Sequence, residues 1–277
     1  MKSFKKWIFK YKPLSWILFS ALEIYCFVRF LSRIDFPIWG ISLISVFVVL
    51  LNYVIAELSL DGLLAESLSA RSKYGNPEPL FTATKELLTF RCKATERLVL
   101  LINHSVALRE MGELQKAYDI LMDIDIEDDP RRPPAIKMIY YNNLSDLYDL
   151  LGNMEKAKHF YEKMMQVYQN MPENKLKYLY ENTVALASAE HYLRIDDPQQ
   201  TMRWVTRVEP KDLATQTSVS LIHAKLNIRA NKPDEAVPYL RKVIDMGNQL
   251  YAVRIAKQLL NELNDTQSNT EKAENFE

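Results

Sequence analysis

Apolar positions fall along this chain in two patterns that no single element accommodates. From Leu14 to Leu31 and again from Ile38 to Ala56 they run almost without interruption, separated by a break at Ser32 to Pro37. The second run (IWGISLISVFVVLLNYVIA) is uncharged, and its length approaches the roughly 20 residues of a bilayer-crossing helix. Further on, apolar residues recur at three- and four-residue spacing, the mark of amphipathic helices. The pattern predicts an all-α protein: an N-terminal two-helix transmembrane hairpin, with spans at about 14–31 and 38–56 inside an anchor of residues 1–57, followed by a helical solenoid.

The first run contains Glu23 and Arg29, and a charge at the centre of a spanning helix costs roughly 2.5–3.5 kcal/mol. The short break makes a hairpin in which the stronger second helix carries the weaker first. Glu23, expected as an intramembrane polar group, has two readings. It is a sensor of a membrane event, or a carboxyl that hydrogen-bonds to Ser42, Ser45 or Asn52 of the second helix. Lys2, Lys5, Lys6, Lys10 and Lys12 precede the first run, and a positive-inside bias would hold them in the cytoplasm. Two spans return the chain to that side, so the solenoid is expected to be cytoplasmic, on a cell membrane and best on a bacterial inner membrane.

The polar remainder repeats itself. Gly112 and Ala117 recur forty residues later as Gly152 and Ala157, in the setting apolar helix, turn, apolar helix. A third copy surrounds Asn231 and Ala236, and a degenerate one surrounds Asp196, with Thr201 in the Ala place. Seven residues before each turn position stand Ser105, Ser145, Ala189 and Ala224, all small; nine after it stand Leu121, Tyr161, Val205 and Leu240, all large and apolar. Antiparallel helices approach closely only where side chains are small, and a bulky residue then fills the gap to the next pair.

On these residues the segment from Thr95 to Gly247 resembles the tetratricopeptide repeat (TPR) family. The register places A helices near Leu98–Met111, Met138–Leu151, Asn182–Ile195 and Thr217–Ala230. Their B partners fall near Gln115–Ile126, Glu155–Gln169, Gln199–Val208 and Asp234–Met246. Residues 58–94 read as a helical connector or degenerate leading repeat, 248–263 as a capping helix, and 264–277 as a polar, disordered tail. Pro238, inside a B helix, is expected to bend it or shift its start.

The resemblance implies that a protein or peptide partner binds the concave face made by the A helices. Arg109, Asn142, Asp146, Glu190, Arg194, Lys225 and Arg229 would face it, with Ile102 and Val106 beside them. Ile102 and Val106 stand where the family's chaperone-tail variety carries Lys and Asn, so that partner is not implied. Ser105, Gly112, Ala117, Ser145, Gly152, Ala157, Ala224 and Ala236 define the repeat and are structural.

Other chemistry finds little support. The solenoid is mildly acidic and has no basic block, which argues against nucleic acid. No phosphate-cradling glycine loop, zinc spacing or nucleophile motif occurs, so no enzyme, metal or cofactor is expected. His104 and His223 occupy matching repeat positions and read as packed side chains, and Cys26 and Cys92 as free thiols. The functional expectation is a membrane-tethered TPR scaffold holding a partner protein. The alternative is a membrane-linked regulator in which Glu23 senses a signal that the repeats relay.

Overall fold

The computed structural model describes residues 12–31, 37–57, 59–90, 92–126 and 132–274. The lysines from Lys2 to Lys10, the break at 32–36 and the Asp128-Asp129-Pro130 segment lie outside them. Every regular element among the described residues is helical. In chain order they are α1 (Lys12–Leu31), α2 (Ile38–Glu57), α3 (Ser59–Tyr74), α4 (Glu78–Leu87), α5 (Ala94–Glu110), α6 (Leu114–Met122) and α7 (Pro134–Leu150). There follow α8 (Met154–Gln169), α9 (Lys175–Leu179), α10 (Glu181–Arg194), α11 (Pro198–Val205), α12 (Leu213–Arg229), α13 (Pro233–Met246) and α14 (Tyr251–Glu274).

α1 and α2 pair with one another. Asn52 Nδ2 donates to Glu23 Oε2 at 2.6 Å and lies 3.3 Å from Ser20 Oγ, so the seam between the two helices is polar. Their membrane-spanning character has to be corrected: among the described residues, no helix is long and apolar enough to cross a membrane. Glu23 and Arg29 interrupt the apolar run of α1, and Ser42, Ser45 and Asn52 that of α2. The transmembrane hairpin, the two spans, the cell-membrane location and the cytoplasmic orientation argued from them are therefore not retained. Leu22, Phe30, Trp39, Leu43 and Phe47 are exposed on the hairpin.

The four repeats pair α5 with α6, α7 with α8, α10 with α11 and α12 with α13. Each turn position holds a positive φ: Gly112 at 84°, Gly152 at 78°, Asp196 at 61° and Asn231 at 56°. The next amide in each case bonds back to a carbonyl five residues earlier: Glu113 to Leu108, Asn153 to Tyr148, Asp197 to Tyr192 and Lys232 to Asn227, at 2.8–2.9 Å. This left-handed cap consumes carbonyls that the ending helix would otherwise leave unbonded. Glycine adopts it without a Cβ clash, and Asp and Asn tolerate it better than other residues.

The small columns are fully packed: Ala117, Ala157, Thr201 and Ala236 are all 0% exposed. Leu121, Leu144, Leu147 and Met164 lie in one continuous core running through the first two repeats. Leu221, Leu240, Val243 and Ala256 form another at the far end. Burying one such large side chain contributes about 1.5–3 kcal/mol. Three A helices begin about a turn before their expected starts, because the chain supplies start signals there: Pro134 at a first helical position, and Asp212, whose carboxylate accepts from the Thr215 amide at 2.8 Å. In α5 the Glu96 carboxylate accepts from the Lys93 amide at 2.8 Å. α13 runs through Pro238.

The stack does not stay open. α3 packs on α4 and also reaches across to α12, and α14 touches α5. Asn248 Nδ2 donates to the Tyr74 carbonyl at 2.8 Å and the Gln249 amide to the Gly75 carbonyl at 3.1 Å. At Gly75 a Cβ would stand 2.6 Å from the Gly247 carbonyl oxygen, and at Gly112 one would stand 2.7 Å from Arg254 and 2.9 Å from Tyr251. The leading helix pair and the last helix thus close the stack head to tail. α14 continues through residues 264–274, for which the polar composition predicts no ordered structure. Its Gln, Glu, Lys and Asn residues cost at most about 0.7 kcal/mol each relative to Ala, so the packed turn at Val253 and Ala256 carries the helix onward.

Candidate functional site

Closure turns the concave side into a cavity of about 600 Å³. Arg109, Asn142, Asp146, Glu190, Arg194, Lys225 and Arg229 all line it, one or two from each A helix. Val106 lines it as well, whereas Ile102 is buried in the core between the first two repeats. The A helices place these residues together because each contributes the same helical face at the same repeat register.

The charged groups are cross-linked between repeats. Arg109 of α5 donates Nη1 to Asp146 Oδ2 of α7 at 2.5 Å, and its Nη2 lies 3.3 Å from Glu110 Oε1. Arg71 of α3 donates to the same Glu110 oxygen at 2.7 Å. Arg194 of α10 donates Nε to Asp149 Oδ1 of α7 at 2.7 Å, and its side chain is only 4% exposed. Arg229 of α12 donates to the Leu193 carbonyl and lies 3.4 Å from the Asp196 carboxylate. Each A helix is thereby tied by an arginine to its neighbour.

These pairs set the protonation of the wall. Burial opposes charge on Arg109, but Asp146 and Glu110 outweigh it and hold the guanidinium charged. Burial also pushes the Glu110 carboxyl up, and Arg71 with Arg109 overcome this and bring it below the usual carboxylate range. Glu190 behaves oppositely: burial and the neighbouring Asp146 push it up to about 8, against the weaker pull of Arg109, Lys225 and Arg194. Three polar atoms at the wall are buried without a partner: Arg71 Nε, Asn142 Oδ1 and Arg194 Nη1. Unsatisfied buried polar atoms are rare in folded proteins and call for an explanation.

The repeat-defining residues serve packing and turns. Ser105 Oγ donates to the Ala117 carbonyl and Ser145 Oγ to the Ala157 carbonyl, each at 2.9 Å. Ala224 and Ala236, on the two helices of the last pair, are both 0% exposed. His104 stacks on Phe81 with centroids 4.9 Å apart, its Nδ1 2.8 Å from Thr84 Oγ1, and His223 stacks on Tyr239 at 5.1 Å. Among the described residues no group of three or more His, Cys, Asp or Glu is placed to hold a metal ion.

Sequence reasoning missed part of the wall. Arg71, Glu110, Asp149, Leu179, Tyr180 and Tyr251 also line the cavity. Asp149 and Glu110 had a signal, since each lies three or four residues from a face position on the same helix. Arg71 and Tyr251 had none, because only the closure of the stack brings them in.

No curated protein matches the chain. Among solved structures it is similar to BtubC (BKLC) from P. vanneervenii, with 14% identity, 78% of this chain and 87% of that one covered, and a TM-score of 0.35. It is also similar to a tetratricopeptide repeat protein from Parabacteroides merdae ATCC 43184, with 15% identity, 74% and 98% covered, and a TM-score of 0.27. Residues 140–170, spanning most of α7 and all of α8, match the tetratricopeptide repeat, and this match supports the TPR family for the repeats.

Proposed function

We propose that this chain is a protein-interaction scaffold whose partner is recognised at the cavity lined by the A helices. The observation that carries this reading is the convergence of residues from four A helices on one cavity whose wall retains buried, unpartnered polar atoms. A volume of about 600 Å³ lies within the roughly 300–1,000 Å³ of typical ligand pockets. It suits a short segment of a partner better than a long helix laid along an open groove. No constellation at the wall pairs a nucleophile with a base, and the arginine-carboxylate links rigidify rather than react.

The test is site-specific photo-crosslinking in cells. A photoreactive residue at Asn142 or Lys225 should yield a discrete protein adduct, while the same residue at exposed Lys116 on α6 should not. Equal labelling from all three positions, or none from any, would overturn the reading.

A further inference from the structure

We infer that the outer face of α2 is a self-association surface, on which α2 of a second copy of this chain packs antiparallel about a two-fold axis near Val46. Trp39, Leu43, Val46, Leu50 and Tyr53 follow one another at spacings of four, three, four and three residues. That alternation has the 3.5-residue period of a helix seam, and the five side chains are 45–73% exposed. Phe47 and Leu51 flank the stripe and are exposed too, and α2 carries no charge from Ile38 to Ala56. None of these residues lines the cavity. Polar groups of the hairpin engage one another instead: Asn52 donates to Glu23 and Ser20 across the seam with α1, and the Ser45 hydroxyl donates to the Ile41 carbonyl of its own helix. The hairpin is thus inside out for water, with polar groups at its seam and an apolar stripe along the outside of α2.

The area suffices for a stable pair. By proportion to the 150–250 Å² of a buried aromatic, Trp39, Phe47 and Tyr53 hold roughly 100 Å² each in water, and Leu43, Val46, Leu50 and Leu51 somewhat less. The total, on the order of 600 Å², is at the upper end of what a monomer's largest apolar patch exposes. With exposed Leu22, Tyr25 and Phe30 of α1 added, it approaches the roughly 800 Å² that each partner contributes to a standard interface. Side-chain sizes then choose the second copy. Two packed helices cross at an angle, come closest at the crossing and diverge beyond it. The stripe is graded for this, with Val46 at its centre, Leu43 and Leu50 next, and Trp39 and Tyr53 at the ends. Grading about one residue makes the stripe self-complementary, as an isologous interface has to be. An antiparallel copy sets Leu43 against Leu50 and Trp39 against Tyr53. It also keeps the two stacks at opposite ends of the pair, because α3 begins at Ser59, directly after α2 ends at Glu57. A lipid surface would require neither the period nor the grading.

Sedimentation of the full chain and disulfide trapping test the pairing, with Cys26→Ser and Cys92→Ser removing the free thiols for the trapping. Wild type should sediment at twice the 32.3 kDa of one chain, and Leu43→Lys combined with Leu50→Lys should reduce it to one. Should that double variant misfold, trapping decides. Val46→Cys should form a disulfide-linked pair roughly tenfold or more faster than Lys116→Cys on exposed α6, since pairing raises the local thiol concentration. Leu43→Cys alone should link poorly, because the antiparallel register holds its two copies about 9 Å apart along the helix, beyond the roughly 7 Å a disulfide allows. Mixed with Leu50→Cys it should link readily. A wild-type chain of single mass, Val46→Cys no faster than Lys116→Cys, or Leu43→Cys that links to itself as readily as to Leu50→Cys would overturn the inference. So would a single-mass chain that floats with phosphatidylcholine vesicles, which would assign the stripe to lipid.

Discussion

The Ser145 hydroxyl donates across its helix pair to the carbonyl of Ala157 at 2.9 Å, and Ser105 repeats the contact on Ala117 at the same distance. A small residue in the A helix thus does more than permit close approach, because it also fixes the register of the B helix. Ser145→Ala keeps the approach and removes one buried hydrogen bond, for an expected loss of about 0.5–1.5 kcal/mol. Ala157→Ile forces a branched side chain into a site with 0% exposure and should cost roughly 1–3 kcal/mol or more. Urea unfolding of the two variants checks the order, and an Ala157→Ile variant as stable as Ser145→Ala would contradict it.

Gly152 and Gly75 separate backbone strain from head-to-tail closure. Both have positive φ, 78° and 59°, but a Cβ on Gly152 meets nothing within 4 Å, whereas one on Gly75 meets the Gly247 carbonyl oxygen at 2.6 Å. Gly152→Ala should therefore cost about 1 kcal/mol from conformation alone. Gly75→Ala should cost more and also loosen the closure. Hydrogen exchange at the Gln249 amide, which bonds to the Gly75 carbonyl, reads that loosening directly. Faster exchange there in Gly75→Ala but not in Gly152→Ala is the expected result.

The repeats were legible because their signals are local. Turn positions at 112, 152, 196 and 231 read from spacing all have positive φ, even where Asp196 and Asn231 replace glycine. Arg109, Asn142, Asp146, Glu190, Arg194, Lys225 and Arg229 followed from the same register, since one helical face per repeat has to line the inside of the stack. Closure was not legible: Asn248 and Tyr74 are 174 residues apart, and neither sequence neighbourhood announces the other. At Gly75 the missing Cβ admits the Gly247 carbonyl oxygen, a close approach between distant segments that no local pattern announces. An uninterrupted apolar run suggested spanning helices, but apolar composition alone does not establish a span, and among the described residues no helix meets the requirement.

His191 gives the fold a sensitivity to acid. Its ring is 5% exposed, stacks on Tyr161 with centroids 3.8 Å apart, and leaves Nδ1 buried without a partner. Burial, with Arg194 and Lys158 nearby, lowers its pKa from 6.5 to about 4. A depressed base favours the neutral ring in the folded state, so its contribution is present above pH 6.5 and is lost as pH falls through 4. His191→Phe keeps an aromatic partner for Tyr161 and removes the titration. Between pH 6.5 and 4 wild type should lose about 1–3 kcal/mol more than this variant, as read from urea midpoints at each pH. Parallel pH profiles would exclude the histidine as the cause.

Glu190 should act in the opposite direction. Its carboxyl is pushed up from 4.5 to about 8 by burial and by Asp146, while Arg109, Lys225 and Arg194 pull the other way without prevailing. The folded state therefore binds more protons than the unfolded chain between those values. Its contribution to stability is fully present below pH 4.5 and is lost as pH rises through 8. Glu190→Gln fixes the neutral form with the same shape, so the variant should match wild type near pH 5 and exceed it at pH 9 by roughly 1–2 kcal/mol, allowing for solvent in the cavity.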